Sequence, residues 1–247
     1  MDNKDLIDKI REKKEFLNLP VSLISRVLEM KDINKKQGEE KVKEARAFLR
    51  KYFSVFITNK LVKGKLNEEG ILKKHISSKD RDYRSLYNRI LKDEEVIIDL
   101  GAGLNGFSYR YLGKRRYIAI EAINVFVDIM NNYFKENKLN AQAFQEDLFD
   151  PDKVLKIINN ENGTKVIFMF NIIDALEKVE RDYSKRLVLE LSKHVDKIVL
   201  SFPTKSLSGK TVFYTSRVWI LNFLQENFII LDDFEENGER FVVFKQK

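Results

Sequence analysis

The chain's 247 residues can bury one large core and still carry a smaller attached unit. It has no Cys and only two His, His75 and His194, which excludes disulfides, thiolate zinc sites and cysteine nucleophiles and leaves too few imidazoles for a histidine metal centre. The net charge of +7 is one-sided: residues 1–94 hold 24 Lys and Arg against 16 Asp and Glu, while residues 95–247 hold 21 against 22.

The start, MDNKDLIDKI, lacks the apolar stretch of a signal peptide, and no run is long enough to cross a bilayer, so a cytoplasmic protein with no membrane partner is expected. Helices are predicted over Leu6–Leu17 and Ser22–Met30, separated by Pro20. Val42, Ala45, Leu49, Tyr52, Phe53 and Phe56 then recur three or four apart among Lys43, Arg46, Arg50 and Lys51, the pattern of an amphipathic helix with a basic flank. In SSKD, Ser77 stands as an N-cap with Asp80 three residues on, and that helix runs through Tyr83, Leu86 and Ile90. The basic excess of this half suits a polyanionic partner; a solvated helical surface has the same composition.

From residue 95 the texture changes to short apolar runs, EVIIDL, RYIAIE, AQAFQ, KVIFMF, KIVLSF, FIILDD and RFVVFK, most separated by enough chain for a crossover helix. The expected fold is α/β, a largely parallel sheet behind an N-terminal helical domain, with domains at 1–94 and 95–247. FEENGE is too short for a parallel crossover, so the last two strands should pair antiparallel.

The first strand opens into DLGAGLNG, where Gly101, Gly103 and Gly106 match G-x-G-x-x-G and Glu121 follows twenty residues after Gly101. Asp99 places a carboxylate where a pyrophosphate would be repelled and an ammonium or sulfonium tolerated. S-adenosylmethionine (SAM) therefore ranks first, a nicotinamide dinucleotide second and a structural turn third. Glu121, Asp147 and Asn171 end successive strands, at the edge where open α/β sheets bind ligands. Glu121 suits ribose hydroxyls and Asp147 an adenine amino group, although each is also an ordinary helix-cap residue.

Together HISSKDR, IDLGAG and above all SFPTKSLSGK (201–210) resemble the 16S ribosomal RNA guanine-N7 methyltransferases of aminoglycoside resistance, over roughly residues 70–247. The resemblance implies a Rossmann-like class I SAM methyltransferase sheet with an antiparallel C-terminal hairpin, preceded by a helical RNA-docking domain. It implies a SAM site of Arg81, which would contact the methionine carboxylate, with Asp99, Gly101, Gly103, Glu121, Asp147, Leu148 and Asn171. Lys205, Ser206 and Lys210, with Lys43, Arg46 and Arg50 of the basic helix, would face ribosomal RNA or the small ribosomal subunit, met by a monomer. Gly106 stands where the family has Pro, and Asn171 where one member has Lys.

Guanine N7 has a lone pair and no proton, so methylation there needs positioning rather than a general base. Asn171, Ser201 and Pro203 would supply it, with Ser201 and Phe202 at the pocket rim and Pro203 fixing the loop exit. Two other readings stand: methylation of tRNA or another RNA nitrogen, and a catalytically silent RNA-binding or ribosome-assembly protein.

Overall fold

The computed structural model describes residues 2–17, 19–54, 68–74, 80–204 and 217–247. Asp2 caps the first helix, α1 (Asn3–Arg11), by accepting from the Asp5 amide at 2.8 Å while the Asp5 carboxylate accepts in return from the Asp2 amide. This helix stops short of the predicted Leu17. Phe16 lies six residues past Ile10 and would point about 120° away from the Leu6 and Ile10 stripe if the helix continued. The chain tightens instead into a 3₁₀ turn, Lys14–Phe16, which buries Phe16 completely.

Helices α2 (Val21–Glu29), α3 (Lys31–Asn34) and α4 (Gly38–Leu49) follow, and α4 runs on as a π-helical turn, Arg50–Ser54. The amphipathic helix of the sequence is thus realised in two pitches; Phe56 lies outside the described residues. These four helices pack chiefly on one another, around Leu23, Ile24, Val27, Leu28, Val42, Ala45 and Leu49. After α5 (Glu68–Lys74) comes α6 (Tyr83–Ile90). Ser77, the expected cap, lies outside the described residues; the cap is Asp82, whose carboxylate accepts from the Arg84 and Ser85 amides at 3.1 Å each.

Seven strands form one sheet: β1 (Val96–Leu100), β2 (Arg116–Glu121), β3 (Ala141–Gln145), β4 (Lys165–Phe170), β5 (Lys197–Pro203), β6 (Phe228–Glu236) and β7 (Glu239–Gln246). Their order is β3-β2-β1-β4-β5-β7-β6, with β1 to β5 parallel and β7 antiparallel to both its neighbours. Every residue of β1 is buried, as the central strand of a parallel sheet requires. Asn237 (φ 52°) and Gly238 (φ 80°) make the two-residue turn between β6 and β7, the left-handed pair a tight hairpin needs. Helices α7 (Asn124–Glu136), α8 (Pro151–Asn160), α9 (Ile173–Val179), α10 (Tyr183–Leu191) and α11 (Val218–Asn227) complete the domain.

Helix α6 is bound to this sheet rather than to α1–α4. Tyr87 Oη is 2.7 Å from Ser108 Oγ, Lys197 Nζ donates to the Ile90 carbonyl at 2.6 Å, and Arg89 pairs with Asp232 at 2.8 Å while covering the Phe234 ring. Strand order reverses between β1 and β4, and the crevice beyond their carboxyl ends is where such sheets receive ligands.

Candidate functional site

A cavity of about 130 Å³ opens at that crevice, beyond the ends of β1 to β4. Its wall includes Gly101, Gly103, Glu121, Ile123, Phe126, Asp147, Leu148, Phe149, Phe170, Asn171 and Ile172 from the sheet domain, and Leu23, Tyr52 and Phe53 from the helical part. Five of the eight residues expected at the cofactor site, Gly101, Gly103, Glu121, Asp147 and Leu148, are therefore brought together with a sixth, Asn171.

The glycine loop leaves β1 with Gly101 at φ 64° and Gly103 at φ 54°. A Cβ on Gly101 would lie 2.3 Å from Ile172 Cδ1 across the cavity, so the position needs both the left-handed backbone and the missing side chain. Gly106 serves packing: a Cβ there would come within 2.7 Å of the Phe134 ring and 2.9 Å of Met130 Sδ on α7.

Glu121, at the end of β2, accepts from the Gly103 amide at 2.8 Å and the Ile123 amide at 2.9 Å. Burial raises its pKa, and those backbone donors oppose the rise. Asp147 accepts from the Phe149 amide at 3.0 Å on Oδ1 and from the Ser22 hydroxyl of α2 at 2.6 Å on Oδ2. Leu148 is anchored through its carbonyl by the Tyr183 hydroxyl.

Asp99 does not line the cavity. It sits behind the glycine loop, 1% exposed, where its Oδ2 accepts from Asn105 Nδ2 at 2.6 Å and Tyr117 Oη at 2.7 Å. Burial pushes its pKa up to about 6, against the pull of these two donors. Alternation along β1 turns its side chain to the face under the loop, so it supports the loop rather than the cavity wall.

Arg81 also stands one layer back. Its guanidinium grips Glu239 of β7 in a fork, Nη2 to Oε1 at 2.7 Å and Nε to Oε2 at 3.1 Å, and lies 4.7 Å from the centre of the Phe170 ring. Burial alone would disfavour the charge; Glu239 more than offsets this and holds Arg81 firmly protonated. The same carboxylate accepts from Asn171 Nδ2 at 2.9 Å and from the Ser201 hydroxyl. Asn171 is held in a left-handed conformation (φ 56°), its amide turned to the Ser201 carbonyl at 3.1 Å.

Ser201 and Phe202, expected at the rim, are instead buried, Ser201 completely, because β7 pairs along β5 as far as Pro203, opposite Glu239. Pro203 is half-buried and its carbonyl accepts from Arg217 at 2.8 Å. Lys205, Ser206, Ser208, Gly209, Lys210 and His75 lie outside the described residues. Of the basic helix, Lys43 is exposed, whereas Arg46 donates to the Lys9 carbonyl and sits 3.6 Å from Glu12, and Arg50 pairs with Glu15. Trp219 packs against the core edge under Lys185.

Glu239, Ser22, Tyr52 and Phe53 are the site's additions to the sequence reading. A Glu after a hairpin turn and a Ser in the first turn of a helix carry no local signal of their partners.

No family model matches this chain, and no curated protein does. Among solved structures, the 16S rRNA methyltransferase RmtF in complex with S-adenosyl-L-homocysteine superposes with a TM-score of 0.82 at 18% identity, covering 100% of both chains. An rRNA methylase from Escherichia coli gives 0.79 at 19%, again over 100% of both, and the 16S rRNA methylase RmtB gives 0.76 at 20%, over 100% of this chain and 99% of that one. The described sheet, its flanking helices and the C-terminal hairpin therefore have the Rossmann-like class I methyltransferase fold.

Proposed function

We propose that this protein is a SAM-dependent RNA methyltransferase that modifies guanine N7 in small-subunit ribosomal RNA. The observation that carries the reading is the gathering of the glycine loop, Glu121, Asp147 and Asn171 around one cavity at the switch point of this sheet. Among the described residues the cavity wall contains two carboxylates and no Lys or Arg, a donor set unsuited to a pyrophosphate and suited to hydroxyls, an amine and a sulfonium. The left-handed turn at Gly101 and Gly103 lays the loop backbone along the cavity wall, where a ligand can approach it. The superposition with RmtF, a structure holding S-adenosyl-L-homocysteine, supports the same ligand here.

SAM, when bound, supplies a methyl group activated by its sulfonium. Glu121 would hold ribose hydroxyls, Asp147 and Leu148 the adenine end, and Gly101 with Gly103 the close approach of the chain. Asn171 faces the reacting end, steadied by Ser201 and Glu239, and Arg81 secures Glu239. None of these groups needs to take a proton, because guanine N7 bears none; orientation can contribute about 7 to 11 kcal/mol in such a reaction.

The basic helices α1–α4 form the RNA-docking unit, in the cytoplasm where ribosomes are. Within the proposed docking domain of residues 1–94, α5 and α6 lean on the sheet domain, through Glu69 with Arg110, Arg81 with Glu239 and the Ile90 carbonyl with Lys197, which leaves α1–α4 as the part that meets RNA. Incubation of small subunits with radiolabelled SAM, followed by mapping of the labelled nucleotide, tests the reading: label at a guanine N7 is expected. Label confined to tRNA would favour the second substrate, and no transfer to any RNA would remove the enzymatic reading.

A further inference from the structure

Both oxygens of Asp147 are engaged, one by the Phe149 amide and the other by Ser22, and the residue is 8% exposed. An amine arriving at this carboxylate must displace or share one of those donors. Leu23, the residue after Ser22, is part of the cavity wall, and with α2 in place the cavity's 130 Å³ falls below the about 300 to 1,000 Å³ of ordinary small-molecule sites.

The polar contacts that tie α2 to the sheet are few and open to water. Ser22 is exposed, and Arg26, 40% exposed, spans from the Phe149 carbonyl at 3.2 Å to Glu180 at 3.1 Å with its guanidinium over the Phe149 ring. Polar contacts this open to water contribute little. The helices α1–α4 pack chiefly on one another, so that they can shift as one body against the sheet with which their apolar core is continuous.

We infer that α2 is a gate on the adenine end of the site: Ser22 and the cofactor compete for Asp147, so that cofactor loading releases α1–α4 from the sheet. The inference rests on the cofactor reading above. Linkage then makes the effect reciprocal, since any partner that draws α2 away, RNA included, must tighten cofactor binding by the same factor. Apparent affinity is reduced by the fraction of molecules in the closed form, and weakening the closed form restores it.

Calorimetry with S-adenosylhomocysteine on the full chain, as wild type, Ser22→Ala and Arg26→Ala, tests the gate. Each variant should bind roughly three- to tenfold tighter than wild type, the scale of one charged hydrogen bond discounted for exposure. A second measurement uses the lack of native Cys: spin labels at Glu29→Cys and Asp152→Cys, both exposed sites, should move apart when S-adenosylhomocysteine is added. Wild-type binding with unchanged or weaker binding by both variants, or an unchanged label distance at saturation, would overturn the gate and leave the cofactor assignment standing. Failure of the wild type to bind S-adenosylhomocysteine would remove both.

Discussion

Arg81 and Glu239, 158 residues apart in the chain, meet as a fork-to-fork ion pair with side chains 5% and 10% exposed. Two further donors, Asn171 and Ser201, converge on the same carboxylate. One acidic residue thus joins the segment before α6, the end of β4, the end of β5 and the start of β7.

Replacing that acid should be costly. Glu239→Ala leaves a buried guanidinium without its counter-charge and is expected to destabilise the protein by about 3 to 5 kcal/mol in urea denaturation. Asn171→Ala should cost far less stability, since it leaves the ion pair intact, and on the function proposed here it should still lower the methylation rate by removing a polar group from the cavity wall.

Asp99 makes stability depend on pH in an uncommon direction. Its pKa is about 6 in the fold against an ordinary 3.8, so the native state binds this proton more readily than the unfolded chain does. The stability this contributes is fully present below 3.8 and is lost as pH rises through about 6. Asp99→Asn removes the titration, and the variant should gain on wild type across that window, to about 2 to 3 kcal/mol at pH 7. Denaturation midpoints of the two proteins from pH 4 to 7 check it; a constant difference would show that burial does not perturb Asp99.

Two glycines of one motif should fail differently. Gly101→Ala forces Ile172 to turn within the cavity and strains a left-handed backbone, so S-adenosylhomocysteine affinity should fall at least about tenfold with a loss of about 1 to 2 kcal/mol in stability. Gly106→Ala presses on Phe134 and Met130 in the core and should cost about 1 to 3 kcal/mol of stability with affinity nearly kept. Calorimetry and denaturation on both variants separate the two roles.

The basic helix divides in the same way. Lys43→Ala should weaken RNA binding and flatten its salt dependence without touching stability. Arg46→Ala should loosen the helical unit itself, because that side chain is partly buried and joined to Lys9 of the first helix and to Glu12, which caps its end. Filter binding at two salt concentrations beside thermal melts distinguishes them.

The strands were legible because each apolar run is bounded by a change of period, and the antiparallel hairpin because two turn residues leave no other choice. Gly101, Glu121, Asp147 and Asn171 were legible together because successive parallel strands deliver their ends to one edge. The direction in which Asp99 points was not, since alternation assigns a residue to one of two faces without saying which of them carries the ligand. Nor was the capture of Arg46 and Arg50 by acids on other segments, which depends on how helices fold back on one another. Glu239 is the extreme case: its three side-chain partners lie 38 to 158 residues away.

Strand β7 lies inside the sheet, between β5 and β6, yet the ribosome makes it after both. Until it arrives, β5 presents an unpaired inner edge, and Arg81, Asn171 and Ser201 wait without the carboxylate that orders them. A chain that stops before Glu239 would therefore hold β1 to β6 and still have an exposed strand edge on β5, a template for joining another chain. Pairing of β7 covers that edge and brings Glu239 to Arg81, Asn171 and Ser201 in the same event.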